Sequence, residues 1–124
     1  MTIESADFLA SSEHCLSFDG EAGCRNAISR AYYAMYHRAT EVFENIPKCR
    51  TDHHSNLIKY MRGQNGIPHE RVSAGKLKIL AYTLRQMRQA RNEADYRIDA
   101  SIIDESVANE SISSAKHFFR RLAE

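Results

Sequence analysis

The sequence predicts an all-α protein, an up-and-down bundle of four main helices plus one short helix. Three observations predict it. Gly and Pro are confined to Gly20, Gly23, Pro47 and the stretch Gly63 to Gly75, which holds Pro68, and they divide the chain into five segments. Within the segments apolar residues recur at the three- and four-residue steps of one buried helical stripe. No stretch alternates apolar and polar residues over the length of a strand. A chain of 124 residues is expected to form one domain, residues 1–124, with a core that needs no covalent staples.

Each element follows from its own signals. Thr2 is a plausible N-cap for a first helix running to about Ser17, and Phe18-Asp19-Gly20 makes the turn after it. The second and longest segment runs from Glu21 to about Ile46, where Pro47 forces its end. Its stripe is Ile28, Tyr32, Met35, Ala39, Val42 and Ile46, while Ala27, Ala31 and Ala34 form a small-residue side for close helix approach. Thr51 or Asp52 caps a short third helix with Leu57, Tyr60 and Met61 on its apolar side, closed by Gly63. Gly63 to Ser73 reads as a mobile loop. The fourth helix is expected from about Ala74 to Ile98. Asp99 or Ser101 caps the fifth, whose stripe is Ala108, Ile112, Ala115, Phe119 and Leu122.

Composition excludes several classes. The longest unbroken apolar run, Ala31 to Tyr36, is far short of the ~20 residues that cross a bilayer. The start, Met1 to Asp7, is acidic where a signal peptide is basic and then apolar. Cys15, Cys24 and Cys49 are odd in number and have no metal-binding spacing, which suits a reducing compartment. A cytoplasmic protein without membrane contact is expected. His53 and His54 are adjacent, so on a helix they diverge and do not share an ion. Gly63-Gln64-Asn65-Gly66 lacks the Lys-Ser/Thr of a phosphate loop, and no Glu-x-x-His pair is present. No metal and no cofactor are expected.

Charge is sorted along the chain although the total is only +1. Residues 59–97 carry nine basic and three acidic side chains, while both flanks are net acidic. Such a middle can make one cationic face for phosphate; it can equally be a solvated face that pairs with the acidic flanks.

The fourth helix breaks its own rhythm. Leu77, Leu80, Leu84 and Met87 lead in the same steps to Arg91, Ala94 and Ile98, which puts an arginine at a core position. Arg88 and Asp95 lie a little further round, at about 100° per residue. A buried, unpaired guanidinium costs several kcal/mol, so Arg91 must pair, reach water or border a cleft or subunit interface. An i,i+4 pair with Asp95 satisfies the first demand, and a groove in which the guanidinium meets phosphate satisfies the last. On the second helix Arg30, Tyr33 and His37, extended by Asn26, form a strip roughly 100° from the apolar stripe, suited to phosphate or to a second subunit.

The run from Asn26 to His37, which contains Ser29-Arg30-Ala31-Tyr32-Tyr33-Ala34, closely resembles the second-helix signature of HEPN domains. His54-Ser55 followed by Leu57-Ile58, and the run Arg91-Asn92-Glu93-Ala94-Asp95-Tyr96, resemble the corresponding motifs of a small stand-alone prokaryotic branch. The correspondence covers nearly the whole chain in order. It implies a helical bundle that forms a homodimer, with the fourth-helix arginines of both subunits around a shared cleft. It also implies RNA or nucleotide as ligand, and a place in a toxin–antitoxin or defence system with a nucleotidyltransferase partner. Other members serve as non-catalytic interaction modules.

Ribonuclease members of the family follow the arginine with a histidine after four to six intervening residues. Here those positions hold Tyr96, Arg97 and Ile98. Metal-independent RNA cleavage needs a group that exchanges protons near neutrality, which tyrosine, with an ordinary pKa of about 10, does poorly. His37 or His54 would have to substitute. The residues expected to bind RNA or nucleotide are therefore Arg91, Arg88, Asp95, Tyr96 and Arg30, and the catalytic candidates are Arg91, His37 and His54. Arg91 is expected to contact phosphate, Asp95 to orient a cation, and Tyr96 to stack, to accept a partner's modification or simply to pack at the helix rim.

Overall fold

The computed structural model describes residues 3–17, 20–97 and 103–124. Five helices run through them: α1 (Ser5–Cys15), α2 (Glu21–Val42), α3 (His53–Met61), α4 (Ala74–Tyr96) and α5 (Glu105–Ala123). The β structure among the described residues is one isolated bridge between Gln64 and Gly66. The result is the expected all-α bundle. α2 is its axis: α1, α4 and α5 all pack against it, and α3 packs on α4. Among the described residues no helix is long and apolar enough to cross a membrane.

The stripes meet where their periodicity aims them. Ile28, Tyr32 and Met35 of α2 are sealed in with Leu57 and Met61 of α3, Leu77, Leu80 and Leu84 of α4, and Phe118 and Leu122 of α5. Ala27, Ala31 and Ala34 are fully buried, and their small side chains let neighbouring helices come close. Ser12 of α1 donates its hydroxyl to the Ala27 carbonyl across 2.5 Å. At the far end of the same pair, Glu41 of α2 accepts the Ser5 backbone N–H at 2.7 Å and its hydroxyl at 2.5 Å, placing a carboxylate on the N-terminus of α1. α4 is held by a different device. Arg25, a buried cation of α2, donates to the carbonyls of Glu93 and Ala94 at 3.0 and 2.9 Å, satisfying acceptors in the last turn of α4.

Several boundaries differ from the sequence reading. α1 begins at Ser5, and the Asp7 carboxylate accepts the Glu4 backbone N–H at 2.8 Å. α2 stops at Val42, four residues before Ile46. The cause lies far away in sequence: Glu70 accepts the backbone N–H groups of Glu44 and Asn45 at 2.9 and 3.0 Å, which draws the chain out of the helix before Pro47 is reached. α3 is capped by Asp52, not Thr51, through a 3.2 Å bond from the Ser55 N–H. α5 is capped by Asp104, whose carboxylate accepts the Val107 N–H at 3.1 Å. Its buried aromatic is Phe118, not Phe119, which lies partly exposed under Arg38. The rest of the stripe, Ala108, Ile112, Ala115 and Leu122, is buried as expected, and Ser111, seven residues before Phe118, is buried on the same side as that ring. Thr2, Phe18, Asp19, Ile98, Asp99 and Ser101, named above as caps, turn or helix residues, lie outside the described residues.

The segment from Gly63 to Ser73, read from sequence as mobile, is anchored at several points. Glu70 also accepts the Tyr60 hydroxyl, Asn45 donates its amide to the His69 carbonyl at 2.5 Å, and Val72 is buried. Arg71 and Lys76 reach the end of α5, at the Leu122 carbonyl and the Glu124 carboxylate. Replacing Glu70 by Ala strips two backbone donors and a hydroxyl of their acceptor. It is expected to lower unfolding free energy by about 1–3 kcal/mol. The readout is a lower urea midpoint at constant slope, and an unmoved midpoint would mean that α2 ends for another reason.

Candidate functional site

One turn of α4 and two turns of α2 face each other around Arg91. Its side chain is 17% exposed, as its place in the apolar rhythm requires. The surrounding groups meet its charge. Nε lies 3.0 Å from the Asp95 carboxylate, with its N–H turned off the line to the oxygen, so this contact is mainly Coulombic. One terminal nitrogen donates to the Tyr33 hydroxyl at 2.6 Å and the other to the Asn92 side-chain carbonyl at 3.1 Å. Asp95 in turn accepts the Ser29 hydroxyl at 3.2 Å. The guanidinium also lies 5.1 Å from the Tyr33 ring centroid and 5.6 Å from that of Tyr96, which is 71% exposed. Asp95 thus pairs with Arg91 at the expected i,i+4 spacing, and the Ser29 hydroxyl ties that pair to the neighbouring helix.

The guanidinium has five N–H donors. The Tyr33 and Asn92 bonds commit two of them and Asp95 faces a third, so the group is fixed in orientation with donor capacity to spare. A planar guanidinium held this way can meet two oxygens of a phosphate bidentately.

An aromatic and histidine row adjoins the arginine. His54, in the first turn of α3, stacks on Tyr36 at 4.0 Å and touches Tyr33 edge-on at 6.3 Å. His37 stacks on Phe8 of α1 at 4.8 Å and lies 6.3 Å from Tyr33. The Tyr32 hydroxyl and His54 Nδ1 are 2.6 Å apart. Burial pushes the Tyr32 hydroxyl well above its ordinary pKa, against the pull of Arg88 and Arg91, so it stays protonated and donates. His54 then accepts at Nδ1 and carries its proton on Nε2. Burial first, and then the charges of Arg88 and Arg91, hold the His54 pKa below the ordinary imidazole value.

Arg88 joins the site from the other side. It donates to the Asp52 carboxylate at 3.2 Å, linking α4 to the N-cap of α3. The Ser55 N–H and then the Arg88 charge keep Asp52 below the usual carboxylate range. The structure therefore brings Arg91, Asp95, Tyr96, His54, His37 and Arg88 into one region. Arg30 is half-buried one turn along α2 from Tyr33, and no hydrogen bond, ion pair or ring contact joins it to the cluster.

Ser29, Tyr36, Phe8 and Asp52 belong to the site although the sequence did not assign them to it. The adjacent pair Tyr32-Tyr33 was the available signal: on a helix one ring turns to the core and the other toward Arg91. Phe8 and Asp52 meet the site from distant parts of the chain and left no local trace. His53 and His54 diverge as expected, His53 toward the Cys49 sulfur at 3.4 Å. Among the described residues no three His, Cys, Asp or Glu side chains are grouped to hold a metal ion.

No family model matches the chain, and no solved structure does either. An uncharacterized protein of Methanocaldococcus jannaschii is 28% identical over 96 residues, covering 69% of this chain. The chain spans about half the length of that relative, 54% of it.

The His54 environment sets a pH dependence. A histidine with a depressed folded pKa binds fewer protons than in the unfolded chain, so stability is full above the ordinary value of 6.5 and falls as pH drops through it. The thermal midpoint is expected to decline between pH 7.5 and about 5.5, and less so in His54→Gln. Parallel declines in the two proteins would rule out His54 as the titrating group.

Proposed function

We propose that this chain is a HEPN-like domain that binds RNA or nucleotide phosphate at the Arg91 cluster, in a cleft completed by a second copy of itself. The observation that carries the reading is the fixed guanidinium with spare donors, held between Tyr33 and an exposed Tyr96. Phosphate supplies the planar acceptor edge, the tyrosine rings supply faces for a base, and Asp95 and Tyr33 keep the guanidinium from swinging away. Arg88 adds positive potential without itself being free, because Asp52 holds it. The reading places the protein in the cytoplasm, in a toxin–antitoxin or defence system. Its nucleotidyltransferase partner would have the exposed Tyr96 hydroxyl within reach.

Arg91→Ala is expected to weaken binding of a short oligoribonucleotide at least tenfold at fixed salt, as loss of a charge-assisted bidentate contact does. Arg91→Lys retains the charge and loses the fork, so it is expected to recover only part of the affinity. Unchanged affinity in Arg91→Ala, with helicity intact by circular dichroism, would sink the proposal.

A second reading rests on the Tyr32–His54 pair. An imidazole that takes up a proton at Nδ1, on the Tyr32 side, and gives one from Nε2 is a proton-exchange group beside an arginine, as metal-independent RNA cleavage requires. Cleavage of total RNA in EDTA, lost in His54→Ala and kept in His37→Ala, supports this reading. Absence of cleavage by the unmodified protein removes it.

A further inference from the structure

The basic stretch of the sequence separates into two groups in space. Arg71 and Lys76 are taken up at the end of α5, and Arg88 and Arg91 have carboxylate partners. Lys59, Arg62, Lys78 and Arg85 form no ion pair among the described residues, so the acidic flanks do not neutralise them. All four line a furrow between α3 and α4. One hollow of about 350 Å³ is bounded by Arg62, Gln64, Lys78, Tyr82 and Arg85. A second, of about 230 Å³, shares Arg62, Gln64 and Arg85 and adds Lys59, Ser55 and Arg88. Neither has a carboxylate in its lining.

An aromatic ring stands among these cations. Tyr82 is 64% exposed, and its hydroxyl accepts the Gln86 amide at 3.0 Å. Lys78, Tyr82 and Arg85 follow one another at four and three residues along one face of α4, and Arg88 and Arg91, at three-residue steps, lie progressively further round the helix toward the Arg91 cluster. From Lys78 to Arg91 the helix rises about 20 Å, length enough for a short run of nucleotides. Unpaired cations along a groove with an exposed ring between them suit a sugar–phosphate backbone whose bases are free to stack. A duplex hides its base faces, and polyglutamate has no aromatic ring to stack on Tyr82.

We infer that the α3–α4 furrow is a track for single-stranded nucleic acid leading to Arg91, with phosphates on Lys59, Arg62, Lys78 and Arg85 and a base on Tyr82. The inference rests on the Arg91 reading for where the strand ends, and on the furrow's own residues for its path. The probes are a fluorescein-labelled 12-mer of oligouridylate, the same length of RNA duplex, polyglutamate and uridine monophosphate, each titrated against the full chain at several salt concentrations.

The double variant Arg62→Gln/Arg85→Gln is expected to bind the 12-mer at least tenfold more weakly and with a shallower salt dependence. Tyr82→Ala is expected to weaken it about fivefold or more. Neither is expected to alter binding of uridine monophosphate at Arg91. All three positions are exposed, so circular dichroism and the thermal midpoint are expected to match the unmodified protein.

Unmodified affinity for the 12-mer in both variants overturns the track while leaving the Arg91 reading in place. Full loss in Arg62→Gln/Arg85→Gln beside an Arg91→Ala protein that binds both probes normally supports the track and removes the Arg91 reading. Tighter binding of duplex than of single strand, or displacement of the 12-mer by polyglutamate at equal charge, overturns the track.

Discussion

A cation packed between two helices constrains everything near it. Arg91 sits where the rhythm of α4 calls for a hydrocarbon, and removing a guanidinium from water without a partner costs several kcal/mol. The bundle meets that cost locally, with Asp95 one turn along, Tyr33 across the seam and Asn92 beside it. These groups fix both the rotation of α4 and its height along α2. A helix turned by one residue would bring a different side chain to Tyr33 and leave Arg91 against the core.

Arg25 makes the same seam firm from the opposite end of the problem. It extends from α2 to the last carbonyls of α4, which any helix leaves without intrahelical donors. Two arginines therefore cross the same junction in opposite senses, one from α2 into the backbone of α4 and one from α4 into the side chains of α2. The Arg91 cluster is built where the backbone of α4 is already tied, which suits a site whose donors must hold a set direction before a ligand arrives.

Much of this was legible in the sequence. The helix count, the α2 and α4 stripes and the inward Arg91 all follow from spacing, because burial imposes the helical period on every long amphipathic segment. The early end of α2 was not legible, since Glu70 imposes it across a long stretch of chain and no local rule anticipates a carboxylate capturing the N–H groups of Glu44 and Asn45. The Phe118-for-Phe119 exchange has a similar origin. Adjacent phenylalanines both border the stripe, and which of them is buried depends on how α5 seats against its neighbours; Ser111, a polar residue buried on the Phe118 side, is invisible to an apolar count. At the site, Arg91, Arg88, Asp95 and Tyr96 were recognisable because they share one helix. His54 was placed by its motif, but its bond to Tyr32 depends on how α3 lies over α2. The unpaired state of Lys59, Arg62, Lys78 and Arg85 was beyond reach, since charge counting does not reveal which acids fold toward which bases.

Asp52 adopts a left-handed backbone, at φ 51°, while its carboxylate both caps α3 and holds Arg88. Among residues with a side chain, only Asn shares its tolerance for that conformation together with an oxygen suited to capping. Asparagine would preserve the shape of the corner and cancel its negative charge. Position 52 is thus a junction at which chain geometry and electric field are separable by a single atom, and the freedom of Arg88 is governed from outside its own helix.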